Sequence, residues 1–186
     1  MAHVAYVSGN PASLTAYRLT RDTTQLSEWL AASRDTLWPS ALAVLAVERG
    51  DTAHARQLVE RHARLDEALP DPTTPLREEA LATKYDWADI LAGLGERRRA
   101  LAVYETLDTA HHTLVEPTMT SLLHVLSFAE RALLHEQLGE RERAIELYEK
   151  FAEAWQDADS ELQPMVRRAR EAAARLRGGA ADAPRP

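Results

Sequence analysis

FAERALLHEQLGERERAIELY, residues 128–148, is the stretch that decides the fold. Gly139 stands between two runs whose apolar residues recur at i, i+3 and i+4, the spacing of a helix face. A glycine there ends one helix in the left-handed conformation that only glycine adopts cheaply. Glu140 follows, at the start of the next helix, where negative charge is favoured. The same step recurs twice upstream: Gly50-Asp51 with Ala55, and Gly95-Glu96 with Ala100, as Gly139-Glu140 with Ala144, at spacings of 45 and 44 residues. Superposing the glycines aligns Ala43, Ala88 and Ala132 seven residues before them, and Leu45, Ile90 and Leu134 five before. Nine residues after them stand Val59, Tyr104 and Tyr148. The offsets describe a helix hairpin. Its two alanines let the paired helices approach closely, and the aromatic or valine fills the gap to the next pair. A unit of this kind cannot bury its apolar face alone and must stack on its neighbours.

A weaker copy of the step, Gly9-Asn10, follows Ala2 and Val4 at the same offsets, with Leu14 in place of the alanine. It reads either as a unit whose first helix is cut short by the chain start, in a fragment or a gene that begins upstream, or as a plain N-terminal loop. Outward from the three glycines, helices are predicted over residues 22–34, 38–49, 51–67, 75–93, 96–108, 117–138 and 140–157. A last helix starts at Asp159-Ser160 and ends near Arg177. Pro39, Pro75 and Pro117 open helices, where a missing N–H costs nothing. Leu69–Pro75 and His111–Glu116 are loops. Gly178-Gly179 stops the last helix, and the tail 178–186 is expected to be disordered. The fold class is therefore all-α: one domain over 1–177, in units 1–34, 38–67, 75–108 and 117–157 with a capping helix 160–177. That helix is expected to turn Met165, Ala169, Ala172 and Leu176 inward.

Composition narrows the function. Apolar residues make up 45% and charged residues 27%, which suits a folded core. The net charge of −7 argues against nucleic acid or an anionic membrane as the main partner, since both need a concentrated basic face. There are no cysteines, so disulfides, thiolate nucleophiles and cysteine metal sites are excluded. The N-terminus is a poor signal peptide and no stretch approaches the ~18 apolar residues of a membrane span. The expected location is cytoplasmic.

Phe128, Ala132, Gly139, Ala144 and Tyr148 resemble the tetratricopeptide repeat consensus, and Ala88, Leu91, Gly95, Ala100, Tyr104 and Leu107 match it in the middle unit. Arg131, His135 and Phe151 depart from it, and the repeat is ~10 residues longer than the usual 34. The resemblance implies a superhelical solenoid of stacked antiparallel hairpins. The segment Leu147–Pro164 is similar to the closing repeat of helical arrays that trail bacterial serine/threonine kinases and transcription regulators. No G-x-G-x-x-G, H-R-D or D-F-G is present, so kinase activity does not carry over.

In such a solenoid the first helix of each pair lines a concave groove. The groove positions are then Ser40, Val44 and Glu48, Tyr85, Asp86 and Asp89, and Glu130, Leu133, Glu136 and Gln137. This surface is acidic. It lacks the Lys and Asn with which chaperone-binding relatives clamp a peptide carboxylate, so a basic or neutral protein segment is the better occupant. The bland alternative is a solvated acidic face. His111-His112, His54, His62, His124 and His135 do not have metal-ligand spacing. Arg97-Arg98-Arg99 opposes the helix dipole and reads as an exposed turn. Trp29, Trp38, Trp87 and Trp155 read as core.

The expected function is a non-catalytic protein-interaction scaffold, with no cofactor and no metal. The alternatives are a regulatory tail of a larger signalling protein and, less favoured, a small-molecule-binding helical repeat. Oligomeric state is open, with homodimerisation through the N-terminal unit as one option.

Overall fold

Three glycines take the left-handed conformation: Gly50 at φ 76°, Gly95 at φ 79° and Gly139 at φ 77°. Each closes its helix with the same two hydrogen bonds. The glycine N–H donates to the carbonyl three residues back, Val47, Ala92 or Glu136, at 2.9–3.0 Å. The next N–H, of Asp51, Glu96 or Glu140, donates five residues back to Ala46, Leu91 or His135, at 2.8–2.9 Å. This double bond pattern satisfies carbonyls that a helix end leaves orphaned. The following helix begins at once. The N–H groups of Ala55, Ala100 and Ala144 donate to the carbonyls of Asp51, Glu96 and Glu140. The Asp51 carboxylate also accepts the N–H of His54 at 3.1 Å, a side-chain N-cap.

A computed structural model describes residues 17–32, 38–67, 76–111 and 119–178. After a helical turn over 17–20, the helices are α1 (Thr24–Ala32), α2 (Pro39–Glu48), α3 (Thr52–His62), α4 (Leu76–Gly93), α5 (Arg97–His111), α6 (Met119–Gln137), α7 (Arg141–Ala154) and α8 (Gln163–Gly178). No strand occurs among the described residues. No helix among them is long and apolar enough to cross a membrane. The chain divides into two compact units, one up to Thr120 and one from Ser121.

In the first unit α2 pairs with α3 and α4 with α5, while α2 also packs on α4 and α1 on α2. The six repeat alanines, Ala43, Ala55, Ala88, Ala100, Ala132 and Ala144, are all wholly buried, and Val59, Tyr104 and Tyr148 are buried too. Tyr85 of α4 and Tyr104 of α5 meet edge to face with centroids 5.3 Å apart. A side chain on Gly93 would meet Val47 Cγ1 at 2.6 Å, so α2 and α4 approach where α4 has none. In the second unit α6 and α7 are tied by the Tyr148 hydroxyl, which donates to Glu136 at 3.1 Å, and α8 packs on α7.

Several boundaries differ from the sequence reading. Helix α3 stops at His62 rather than continuing to residue 67, because Ala63 turns extended. The freed carbonyl of Leu65 accepts the Lys84 ammonium of α4 at 2.9 Å. The last helix starts at Gln163, not 160. A turn in which Leu162 N–H donates to the Asp159 carbonyl precedes it, with Pro164 in its first turn. Its inward face is centred on Val166, Ala169 and Ala173, one position from the predicted stripe, with Met165, Ala172 and Leu176 half-buried. Helix α5 runs on to His111, past the predicted end at 108. Trp87 is core, whereas Trp38 is half-buried and Trp155 is half-buried against Phe151. The weak N-terminal unit at Gly9-Asn10, most of the two predicted loops, the Trp29 side chain and the tail after Gly178 lie outside the described residues.

The two glycines of α4 serve different ends, and substitution separates them. Gly95→Ala meets no atom within 4 Å but must hold φ 79°, a cost of about 1–2 kcal/mol. Gly95→Asn recovers part of it, since asparagine tolerates that region. Gly93→Ala gains about 1 kcal/mol of helix propensity but overpacks Val47, which costs about 1–3 kcal/mol. Urea unfolding followed by circular dichroism is predicted to show both alanine variants destabilised, with asparagine rescuing only position 95.

Candidate functional site: an acidic face closed by residues 17–21

Residues 17–20 form a helical turn, and Arg21 closes it at φ 59°, the one non-glycine residue described in the left-handed region. The Arg21 N–H donates to the Tyr17 carbonyl at 2.7 Å. Asp22 then turns the chain. Its N–H donates to Thr20 Oγ1 and its carboxylate accepts the Thr24 N–H, which starts α1. The helical turn 17–20 is thereby held over α2 and α4.

Three side chains make the attachment. Arg18 is 3% exposed and donates from Nε and Nη2 to Asp86 Oδ1, at 2.8 and 2.5 Å. Its Nη2 also reaches the Ala82 carbonyl at 3.5 Å, and its guanidinium lies 5.6 Å from the centre of the Tyr85 ring. The other Asp86 oxygen faces the Ser40 hydroxyl at 3.5 Å. The Tyr17 hydroxyl donates to Glu48 at 2.7 Å, at the end of α2. Arg21 donates to Asp89 at 2.6 Å and covers the Tyr17 ring at 5.3 Å. Burial, reinforced by the Asp89 charge, raises the Tyr17 phenol above its ordinary range, so it stays a donor.

Five of the six predicted groove residues of the first unit therefore come together around one segment, while Val44 lies in the core. Ser40, Tyr85 and Asp86 are buried, Asp89 is half-buried and Glu48 is exposed. The sequence reading missed Tyr17, Arg18 and Arg21. Their only local signal is a pair of arginines and a tyrosine ahead of the Arg21-Asp22-Thr23 turn, in an acidic chain.

Glu130, Glu136 and Gln137 lie on α6 in the second unit. Glu136 accepts Arg175 of α8 at 2.8 Å as well as the Tyr148 hydroxyl. The Arg175 hydrogen bond, with help from Tyr148, lowers its carboxyl below the ordinary 4.5. Burial, then Glu136, raises the Tyr148 phenol. Leu133 is the one large apolar side chain exposed among the described residues. A buried polar row follows α6: His124, Ser127, Arg131 and His135, with the Ser127 hydroxyl donating to the His124 carbonyl at 2.6 Å. His135 Nδ1 meets Glu140 at 2.5 Å. An open cleft of about 460 Å³ lies beside Trp155, between the end of α7 and the start of α8. No group of three or more His, Cys, Asp or Glu among the described residues could hold a metal ion. The Arg97–Arg99 run lies at the start of α5, where Arg99 pairs with Glu96 and Glu60.

Comparison of the chain with protein-family models, curated proteins and solved structures returns no match.

The two ion pairs of the first unit differ in value. Asp86→Ala leaves the buried Arg18 guanidinium without its carboxylate, and removing one member of a buried pair costs about 3–5 kcal/mol. Asp89→Ala removes the partner of Arg21, which is 39% exposed, and such a pair contributes about 0–1 kcal/mol. Urea midpoints are predicted to fall steeply for Asp86→Ala and little for Asp89→Ala; equal shifts would contradict this geometry. In the second unit the depressed Glu136 carboxyl stabilises the fold fully above its unfolded value near 4.5, and the contribution is lost as pH falls through the lower folded value. Hydrogen exchange in α8 is predicted to rise on acidification in the wild type, and to be high already at neutral pH, with a shallower acid response, in Glu136→Gln.

Proposed function

We propose that this chain is a non-catalytic binding scaffold, a tetratricopeptide-like solenoid whose first helices present an acidic surface to a basic segment of another protein. The observation that carries the reading is the face of α2 and α4. Its carboxylates Glu48, Asp86 and Asp89 engage one tyrosine and two arginines on a single short stretch of helix. That is peptide-recognition chemistry: a planar guanidinium on a carboxylate fixes geometry, and an aromatic hydroxyl adds direction. The repeated hairpin supports the solenoid, since each unit buries its alanines only against a partner helix. Complementary charge supports a basic partner.

Affinity capture from a native lysate tests the reading, comparing the wild type with Glu48→Arg/Asp89→Arg. These two positions are chosen because Asp86 is buried, and reversing it would set two guanidinium groups against each other in the core. Proteins held through a basic segment are predicted to be retained by the wild type and lost by the variant. An identical retained set from both, each carrying no basic segment, contradicts the proposal.

A further inference from the structure

Three places in the molecule invite a ligand. The cleft beside Trp155 is bordered by Glu153, Asp157 and Asp159, but an acidic rim with no polar group buried toward it says nothing about an occupant. The buried polar row on α6 is bound up in packing, with Ser127 satisfied by its own helix. The face of α2 and α4 differs, because an occupant is visible there.

We infer that residues 17–21 are a built-in ligand of the α2/α4 face: the site takes a helical segment bearing an aromatic residue and two arginines at i, i+1 and i+4, and the chain's own Tyr17, Arg18 and Arg21 hold it closed until a partner segment of that chemistry displaces them. This rests on the scaffold reading above and names the partner class of the same site.

Four observations carry it. The contacts run between residues far apart in sequence, 31 positions for Tyr17–Glu48 and 68 for both arginine–aspartate pairs. The segment therefore binds the face as a ligand would, and the turn at Arg21–Thr23 tethers it. Second, the attachment is polar: two ion pairs, one phenol hydrogen bond and one cation over an aromatic ring of the face. A buried ion pair adds little net stability over an apolar pair of similar volume, yet rejects a wrong partner strongly, since either charge alone is costly. Such a contact selects its occupant more than it strengthens the fold. Third, Arg21 holds a backbone conformation that glycine holds at the three hairpin turns. An arginine stands there although its backbone is strained, and what its side chain does is reach Asp89 and the Tyr17 ring. Fourth, each carboxylate engaged belongs to a first helix of a hairpin, on the elements the repeat already places side by side.

A tethered occupant competes at the effective concentration that its linker sets, of millimolar order for a short flexible one. A free segment of equal intrinsic affinity therefore binds the wild type weakly, and loosening the tethered copy restores binding.

The test is fluorescence anisotropy with a labelled peptide of residues 13–25, SLTAYRLTRDTTQ, added to the full-length chain. Tyr17→Phe/Arg21→Ala removes the phenol hydrogen bond and the exposed ion pair but keeps Arg18 on Asp86, so the buried charge stays paired and the chain stays folded, which circular dichroism verifies. The double variant is expected to bind the peptide about tenfold more tightly than the wild type. Adding Asp89→Asn to that variant is expected to diminish the gain by a few-fold, and a peptide with both arginines changed to glutamate is expected not to bind. Equal affinity for wild type and double variant, or no binding to either, overturns the proposal. So does a gain that Asp89→Asn leaves undiminished. If the lysate capture nevertheless shows partners that depend on Glu48 and Asp89, the scaffold reading stands and only the self-occupied site falls. If the peptide binds as expected while capture retains nothing specific, residues 17–21 are a ligand of the face and the trans partner falls.

Discussion

A chain that reverses between two helices within three residues must place one residue at positive φ, and every hairpin joined by a glycine–acid step depends on that. The left-handed glycine sets the step by which α3 leaves α2, α5 leaves α4 and α7 leaves α6. Because the step is the same each time, the residues seven before and five after the glycine always face each other. Only alanine at both positions lets the backbones come close, and all six are wholly buried. The residue nine after the glycine then lies beyond the close contact, where a larger group is needed, and valine or tyrosine supplies it. The core is thus spaced by the turn and filled according to distance from it.

The same arrangement positions the acidic face. Helix α2 is short and apolar on nearly every side, so it buries six of its ten residues and can neighbour α3, α4 and α1 at once. Its packing on α4, close at Gly93, brings Ser40 to Asp86 and sets Glu48 within reach of the segment that also engages Asp86 and Asp89. The helical turn 17–20 is anchored there by charge. Of the two ion pairs, the buried one decides what fits and the exposed one adds little.

The hairpins were legible in the sequence because their signals are local. A glycine, the acid after it and alanines at fixed offsets need no knowledge of the rest of the chain. The offsets say nothing of Asp86 and Asp89; the expectation that they face a groove comes from the family resemblance, and Asp86 is buried. What was not legible depends on distant partners. Nothing local ends α3 at His62; the Leu65 carbonyl is free to turn outward because Lys84, nineteen residues on, donates to it. Arg21 carries no sequence mark of a left-handed residue, and its partner is 68 positions away. Asp86 and Asp89 were read as facing a groove open to another molecule. In the structure the residues opposite them come from the chain itself, from residues 17–21. The one-position rotation of α8 likewise shows only in the packed structure, where Val166 and Ala173 are buried.

The most direct measurement of the central claim, that residues 17–21 occupy the α2/α4 face as a displaceable ligand, is hydrogen exchange by mass spectrometry on the full-length Tyr17→Phe/Arg21→Ala chain, with and without a saturating amount of the 13–25 peptide. The account predicts that amides of residues 17–23 lose protection when the peptide binds, while those of 82–90 keep or gain it. Peptide binding that leaves residues 17–23 as protected as before, or that protects a surface away from α2 and α4, would contradict it.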